Sequence, residues 1–140
     1  MLRLFVDGGC SNNSQKDMSK RTMVSVVADA KGKIVDEIQN HGGSNSLAEL
    51  IAVEHAIDYA LAKRQKRVHI ISDSMTAISQ FNKDESARNP KTLRKMNDPE
   101  WYQAIKGRID DLKRFIDVKI EWQSRENNLA GHYIEEKYGL

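Results

Sequence analysis

Three carboxylates in this chain stand where carboxylates can work together. Asp7 follows the run Leu2-Arg3-Leu4-Phe5-Val6 and precedes Gly8-Gly9, while Asp73 follows Val68-His69-Ile70-Ile71-Ser72 and precedes Ser74. Both runs have the composition of strands inside a sheet, so each aspartate is expected at a strand end. If the two strands are parallel neighbours, both side chains emerge at one carboxyl edge, where open α/β sheets bind ligands. Glu49 lies at the border of the apolar arc of a helix and can face inward near that helix's start. Like charges held this close repel one another and raise each other's pKa. A divalent cation removes that cost, and hard oxygen ligands suit Mg²⁺. Two such ions, ~4 Å apart, can activate a water and stabilise the leaving oxygen in phosphodiester hydrolysis. Each residue also has a plainer use. A lone Asp after a strand serves as a turn residue or helix cap, and Ser46 with Glu49 spells a capping box.

The elements that must position these groups follow from the periodicity. Leu2–Asp7 is a strand ended by Gly8-Gly9, and Ser11 to Arg21 is a polar loop. Thr22 to Ala30 is rich in β-branched residues, and Lys31-Gly32 turns it into a third strand, Lys33–Ile38. From Leu47 to Arg64 the apolar residues recur at helical spacing, with Ser46 as the expected N-cap. Arg67–Ser72 is the fourth strand, followed by a short helix from Ser74 to Phe81. Asp98-Pro99 suits the start of a helix running to Phe115, because Asp caps well and Pro fits the first helical position. Val118–Trp122 is the fifth strand, and Asn128 to Lys137 is the last helix. The order βββαβα–α–βα predicts a meander followed by right-handed crossover units. Trp101 and Trp122 are expected in the core.

The chain has 140 residues, enough for one domain spanning 1–140, with 39% hydrophobic and 30% charged residues. No apolar run approaches the ~20 residues of a membrane helix. The start on strand-like residues and the single cysteine, Cys10, fit a cytoplasmic protein. A net charge of +2, from 22 Lys+Arg and 20 Asp+Glu, barely points to nucleic acid. The polar stretch 82–97, with Arg88, Lys91, Arg94 and Lys95 among acidic residues, is either a solvated loop or a basic handle.

Four short segments carry a stronger signal together than apart. They are Phe5-Val6-Asp7-Gly8-Gly9-Cys10, Asn45-Ser46-Leu47-Ala48-Glu49-Leu50, Ile71-Ser72-Asp73-Ser74 and Trp122-Gln123-Ser124-Arg125-Glu126-Asn127-Asn128. In this order, at strand ends and helix starts, the chain resembles the ribonuclease H family over nearly its whole length. The last segment resembles the branch with Arg-Glu-x-Asn in place of a His-containing loop. The resemblance implies an α/β ribonuclease H-like fold: a mixed five-stranded sheet ordered 3-2-1-4-5, strand 2 antiparallel, with helices on both faces. It implies an endonuclease, acting as a monomer, that cleaves the RNA strand of RNA–DNA hybrids with two divalent ions, Mg²⁺ or Mn²⁺. Asp7 would be shared by both ions, with Glu49 and Asp73 on one of them. Gly8, Gly9 and Cys10 would bring backbone amides to the hybrid, and Asn13 and Asn45 would read 2′-hydroxyls in the minor groove. Ser46 and Ser74 are further candidate substrate contacts.

The chain departs from the family pattern at one position. The fourth carboxylate usually stands four residues after the last asparagine of that motif, and here that residue is His132. Its imidazole can bind a metal, suiting Mn²⁺ better than Mg²⁺, or shuttle a proton. Alternatively, Glu135 or Glu136, one turn on, completes the site, or His132 is a plain surface residue. The competing function is a hybrid- or duplex-binding module without full activity. His41, His55 and His69 fit no motif.

Overall fold

The computed structural model describes residues 1–11, 20–82 and 99–140. Asn13 and nearly all of the 82–97 stretch lie outside the described residues. The elements are β1 (Leu2–Ser11), β2 (Thr22–Asp29), β3 (Ile34–His41), α1 (Asn45–Ala62), β4 (Arg67–Ser72), α2 (Met75–Asn82), α3 (Pro99–Leu112), β5 (Asp117–Trp122) and α4 (Leu129–Tyr138). A 3-10 turn at Arg125–Asn127 enters α4. The five strands form one sheet ordered β3-β2-β1-β4-β5, antiparallel for β1–β2 and β2–β3, parallel for β1–β4 and β4–β5. This is the predicted mixed sheet. No helix among the described residues is long and apolar enough to cross a membrane.

β1 lies at the centre because it can be covered on both faces: every residue from Leu4 to Cys10 is buried. Leu4 and Val6 face a core built with α1, α2 and α3, including Leu50, Ile57, Phe81 and Ile109. Phe5, with Val24, Val26 and Ile71, faces Ala130 and Ile134 of α4. Helices therefore cover both faces, as the alternation of strand residues requires. The β2–β3 turn is held by Asp29, whose Oδ1 accepts from the amides of Lys31 and Lys33 at 2.9 Å each. Gly32 supplies the positive φ of 84° that this turn needs.

Several boundaries, and the burial of one tryptophan, differ from the sequence reading. β1 does not end at Gly8-Gly9 but continues, paired with β2, to Ser11. The N-cap of α1 is Ser44 rather than Ser46, with Ser44 Oγ accepting from the Leu47 amide at 3.2 Å. The cap falls there because Gly42 and Gly43, at φ 85° and 86°, turn the chain two residues earlier. Buried Arg21 donates to the Gly43 carbonyl at 2.8 Å and fixes that turn. α3 stops at Leu112, leaving Phe115 exposed. Trp122 is not in the core; it is 49% exposed.

Candidate metal centre and its groove

The parallel pairing of β1 with β4 ends at Phe5 opposite Ile71. Beyond it the two strands part, β1 staying with β2 and β4 with β5. Asp7 and Asp73 each stand two residues past that last pair, on either side of the split. Strand order reverses between these strands, which makes this the ligand-binding switch point of an open sheet. Asp7 is thus at the end of one pairing though in the middle of its strand.

Glu49 reaches the same place because α1 lies directly on β1. A Cβ on Gly8 would sit 2.3 Å from the Ala48 carbonyl carbon and 2.4 Å from the Glu49 amide nitrogen, so only glycine allows this approach. Ser25 adds an anchor, its hydroxyl donating to the Ala48 carbonyl at 2.7 Å. With Ser44 as the cap, Glu49 has no capping role and its carboxylate turns inward.

Asp7, Glu49 and Asp73 each bring one oxygen within 4.8 Å of the others. Asp7 is fully buried, and both its carboxylate oxygens, one Glu49 oxygen and Asp73 Oδ2 have no hydrogen-bond partner. Buried carboxylate oxygens without hydrogen bonds are costly, and a set of them converging on one point is what a hard divalent cation satisfies. Burial, and then the charge of Asp73, push the Asp7 carboxyl from 3.8 up to about 6, while Arg125 pulls it down. Burial, and next the Asp7 charge, hold the Glu49 carboxyl well above its usual range. The Arg125 guanidinium lies 3.2 Å from Asp7 Oδ2 and 3.6 Å from Asp73 Oδ2, partly offsetting the charge.

α4 closes the other side. Asn128, fully buried, donates from Nδ2 to the Val6 carbonyl at 2.9 Å and accepts at Oδ1 from the Ala130 and Gly131 amides at 3.1 and 3.2 Å. It caps α4 and ties it to β1 one residue before Asp7. A Cβ on Gly131 would lie 3.3 Å from Asp7 Oδ2, so the first turn of α4 abuts the cluster. Arg125, Asn128 and Gly131 had no role assigned from sequence. The Arg-Glu-x-Asn motif was the available signal for the first two.

Of the other predicted site residues, Gly8, Gly9, Cys10 and Asn45 line a groove of about 310 Å³ together with Glu49, Arg125, Ile134 and Leu140. Ser46 is exposed on the first turn of α1, outside this lining. The Ser74 hydroxyl accepts from the Ala77 amide at 3.1 Å and so caps α2. His132 is exposed on the first turn of α4, beside Gly131, and does not join the group of three carboxylates; Glu135 and Glu136 are exposed too. His55 Nδ1 pairs with Asp36 at 2.8 Å on the surface, away from the site.

A family model described as RNase H matches residues 1–128. The chain belongs to the ribonuclease H family. A search of curated protein sequences finds no match. Among solved structures, the chain is similar to RNase H1 from the halophilic archaeon Halobacterium salinarum NRC-1. The TM-score is 0.65 at 20% identity, over 94% of this chain and 92% of that one. It is also similar to the N-terminal RNase H domain of Rv2228c from Mycobacterium tuberculosis, with TM-score 0.63, 18% identity and 96% and 88% coverage. A third is LC11-RNase H1 in complex with an RNA/DNA hybrid, with TM-score 0.61, 18% identity and 91% and 88% coverage. At these identities the likeness establishes the ribonuclease H fold, and this chain's acidic cluster stands at that fold's switch point.

Proposed function

We propose that this ribonuclease H family member is an endonuclease that hydrolyses the RNA strand of RNA–DNA hybrids, with Asp7, Glu49 and Asp73 holding two divalent ions, Mg²⁺ or Mn²⁺. The observation that carries the reading is the convergence of three carboxylates, with buried oxygens that no hydrogen bond satisfies, on one point of the sheet edge. Bound there, the ions would supply an activated water and charge stabilisation for the leaving 3′-oxygen. Water adds to phosphorus, the P–O3′ bond breaks, and the products carry a 5′-phosphate and a 3′-hydroxyl. Arg125 neutralises part of the carboxylate charge from the side, and Asn128 keeps α4 in place against β1. The groove lined by Gly8, Gly9, Cys10 and Asn45 leads to the cluster and offers a place for the nucleic-acid backbone. Asn45, at the exposed start of α1, is suited to a 2′-hydroxyl. A neighbour of the same fold in complex with an RNA/DNA hybrid supports this substrate class.

The test is cleavage of a labelled hybrid beside duplex DNA and duplex RNA, with Mg²⁺ or Mn²⁺. Only the RNA strand of the hybrid is expected to be cut. Binding without cleavage in either metal would instead make the protein a hybrid-binding module.

His132, the next residue after Gly131 and the position where the family pattern breaks, yields a test of metal preference. An imidazole nitrogen is a better ligand for Mn²⁺ than for Mg²⁺, so Mn²⁺ should support the faster reaction. His132→Asp is expected to move the preference back towards Mg²⁺. His132→Ala should slow turnover on the order of 10²-fold or more if the ring binds metal or moves a proton. Glu135→Gln and Glu136→Gln are the controls. Full activity in His132→Ala, with a loss in one of the glutamate variants, would assign the fourth ligand to α4's next turn.

A further inference from the structure

Trp122 sits at the rim of the acidic cluster in a way that core packing does not explain. It is the last residue of β5, opposite Ser72, and is 49% exposed. Its indole N–H donates to the backbone carbonyl of Asp73 at 3.1 Å, which fixes the ring beside the cluster. β1, β4 and β5 are parallel, so the end of β5 shares the carboxyl edge with Asp7 and Asp73. Met75, 65% exposed at the start of α2, follows Asp73 by two residues and adds a second apolar surface at this edge. By contrast, exposed Phe115 stands just before β5, at the opposite edge of the sheet.

We propose that Trp122 is a substrate contact: its ring packs against a sugar of the hybrid, next to the phosphate that ions bound at the carboxylates would meet. The proposal rests on the hybrid-hydrolase reading above and adds a residue to it. A backbone lying over Asp73 must place its neighbouring nucleotide near a ring hydrogen-bonded to Asp73's own carbonyl. The N–H is already used, so the ring offers an apolar face and no base-specific donor. Such contacts tolerate any sequence and add affinity without adding chemistry. A rigid, pre-oriented ring loses little entropy on binding.

Steady-state kinetics and fluorescence test this together. Trp122→Ala should raise KM for the hybrid by roughly 5- to 30-fold, within the range for loss of one nucleotide–aromatic contact, with kcat changed by no more than about threefold. Trp122→Phe keeps a ring but loses the N–H, and should recover most of that KM. If the indole only props Asp73, Ala and Phe fail alike and the loss appears in kcat; that result overturns the proposal. In a Trp101→Phe background Trp122 is the single tryptophan. Adding metal-free hybrid should then change its emission along the same isotherm as the anisotropy of the labelled hybrid. Saturated anisotropy with unchanged emission would also overturn the proposal. If wild type binds hybrid but cuts none, the hydrolase reading falls, and the emission arm alone decides for or against Trp122.

Discussion

Asp7→Asn is expected to abolish hydrolysis of the hybrid, a fall on the order of 10³-fold or more, while making the metal-free protein more stable. The two effects have one origin. Asp7 is fully buried among Glu49 and Asp73, and its carboxyl is pushed from 3.8 to about 6. A group whose folded pKa is raised binds its proton more tightly in the folded chain than in the unfolded one. Folding is therefore unopposed by Asp7 below about pH 4, and the penalty grows as pH rises through 4 to 6. Above pH 6 it is constant, on the order of 3 kcal/mol from the size of the displacement. Asparagine keeps the shape and removes the charge, so its Tm in chelator should exceed wild type by about 10 °C at pH 7.5. The gap should close as pH falls towards 4. Divalent metal should stabilise wild type and leave the variant nearly unchanged, because binding to the folded state alone raises stability. The loss of activity follows because the charge that opposes folding is the one that holds the ions and balances charge in phosphoryl transfer. Near-wild-type turnover in Asp7→Asn would remove Asp7 from the mechanism. Equal melting at pH 7.5 would mean that Arg125 already neutralises the site.

Much of this was legible from residue order. The period-2 and period-3.6 patterns place five strands and four helices, and β4 runs over Arg67–Ser72 as predicted. Asp73 is past the end of its strand because Ser72 is the last residue that still pairs with β5. Asp7 is different. β1 loses β4 after Phe5 yet keeps β2 to Ser11, and a linear pattern cannot show a strand leaving one neighbour only. Gly8, the first of the two glycines that suggest an end, is there because α1 rests on it. The choice of Ser44 over Ser46 as cap was hidden for a similar reason. Two serines two residues apart are equivalent in sequence, and the decision lies in the Gly42-Gly43 turn held by Arg21, a residue 22 positions away from Gly43. Trp122 has the alternation of a core residue, sharing its face with Val118 and Ile120, which pack on the core. It falls at the very end of β5, where its indole N–H meets the Asp73 carbonyl. Arg125 could be read as part of a motif, but its pairing with Asp7 across 118 residues of chain needs the fold.

Gly8→Ala should be the most damaging single methyl in the site, and comparison with Gly9→Ala separates its cause. The new Cβ at position 8 would lie 2.3, 2.4 and 2.6 Å from the carbonyl carbon of Ala48, the nitrogen of Glu49 and the carbonyl oxygen of Ala48. All three are backbone atoms inside α1, and no rotamer can move them. Either α1 lifts from β1, opening the core around Leu47, Leu50 and Ile51, or β1 shifts and loses its ladder with β2. Overpacking of this kind costs typically 1–3 kcal/mol, and an unyielding backbone places it at about 3 or above. Molecules that remain folded should still lose on the order of 10²-fold in turnover, because displacing Glu49 by about 1 Å spoils the alignment of the cluster. At Gly9 the same methyl meets the flexible end of Leu140, Cδ1, at 3.1 Å, so the fold should change by less than about 1 kcal/mol. Loss of hybrid affinity in Gly9→Ala, with normal melting, would then mark the place where the nucleic acid comes closest to β1. Wild-type melting and turnover in Gly8→Ala would contradict the close contact of α1 with β1 from which Glu49's position was derived.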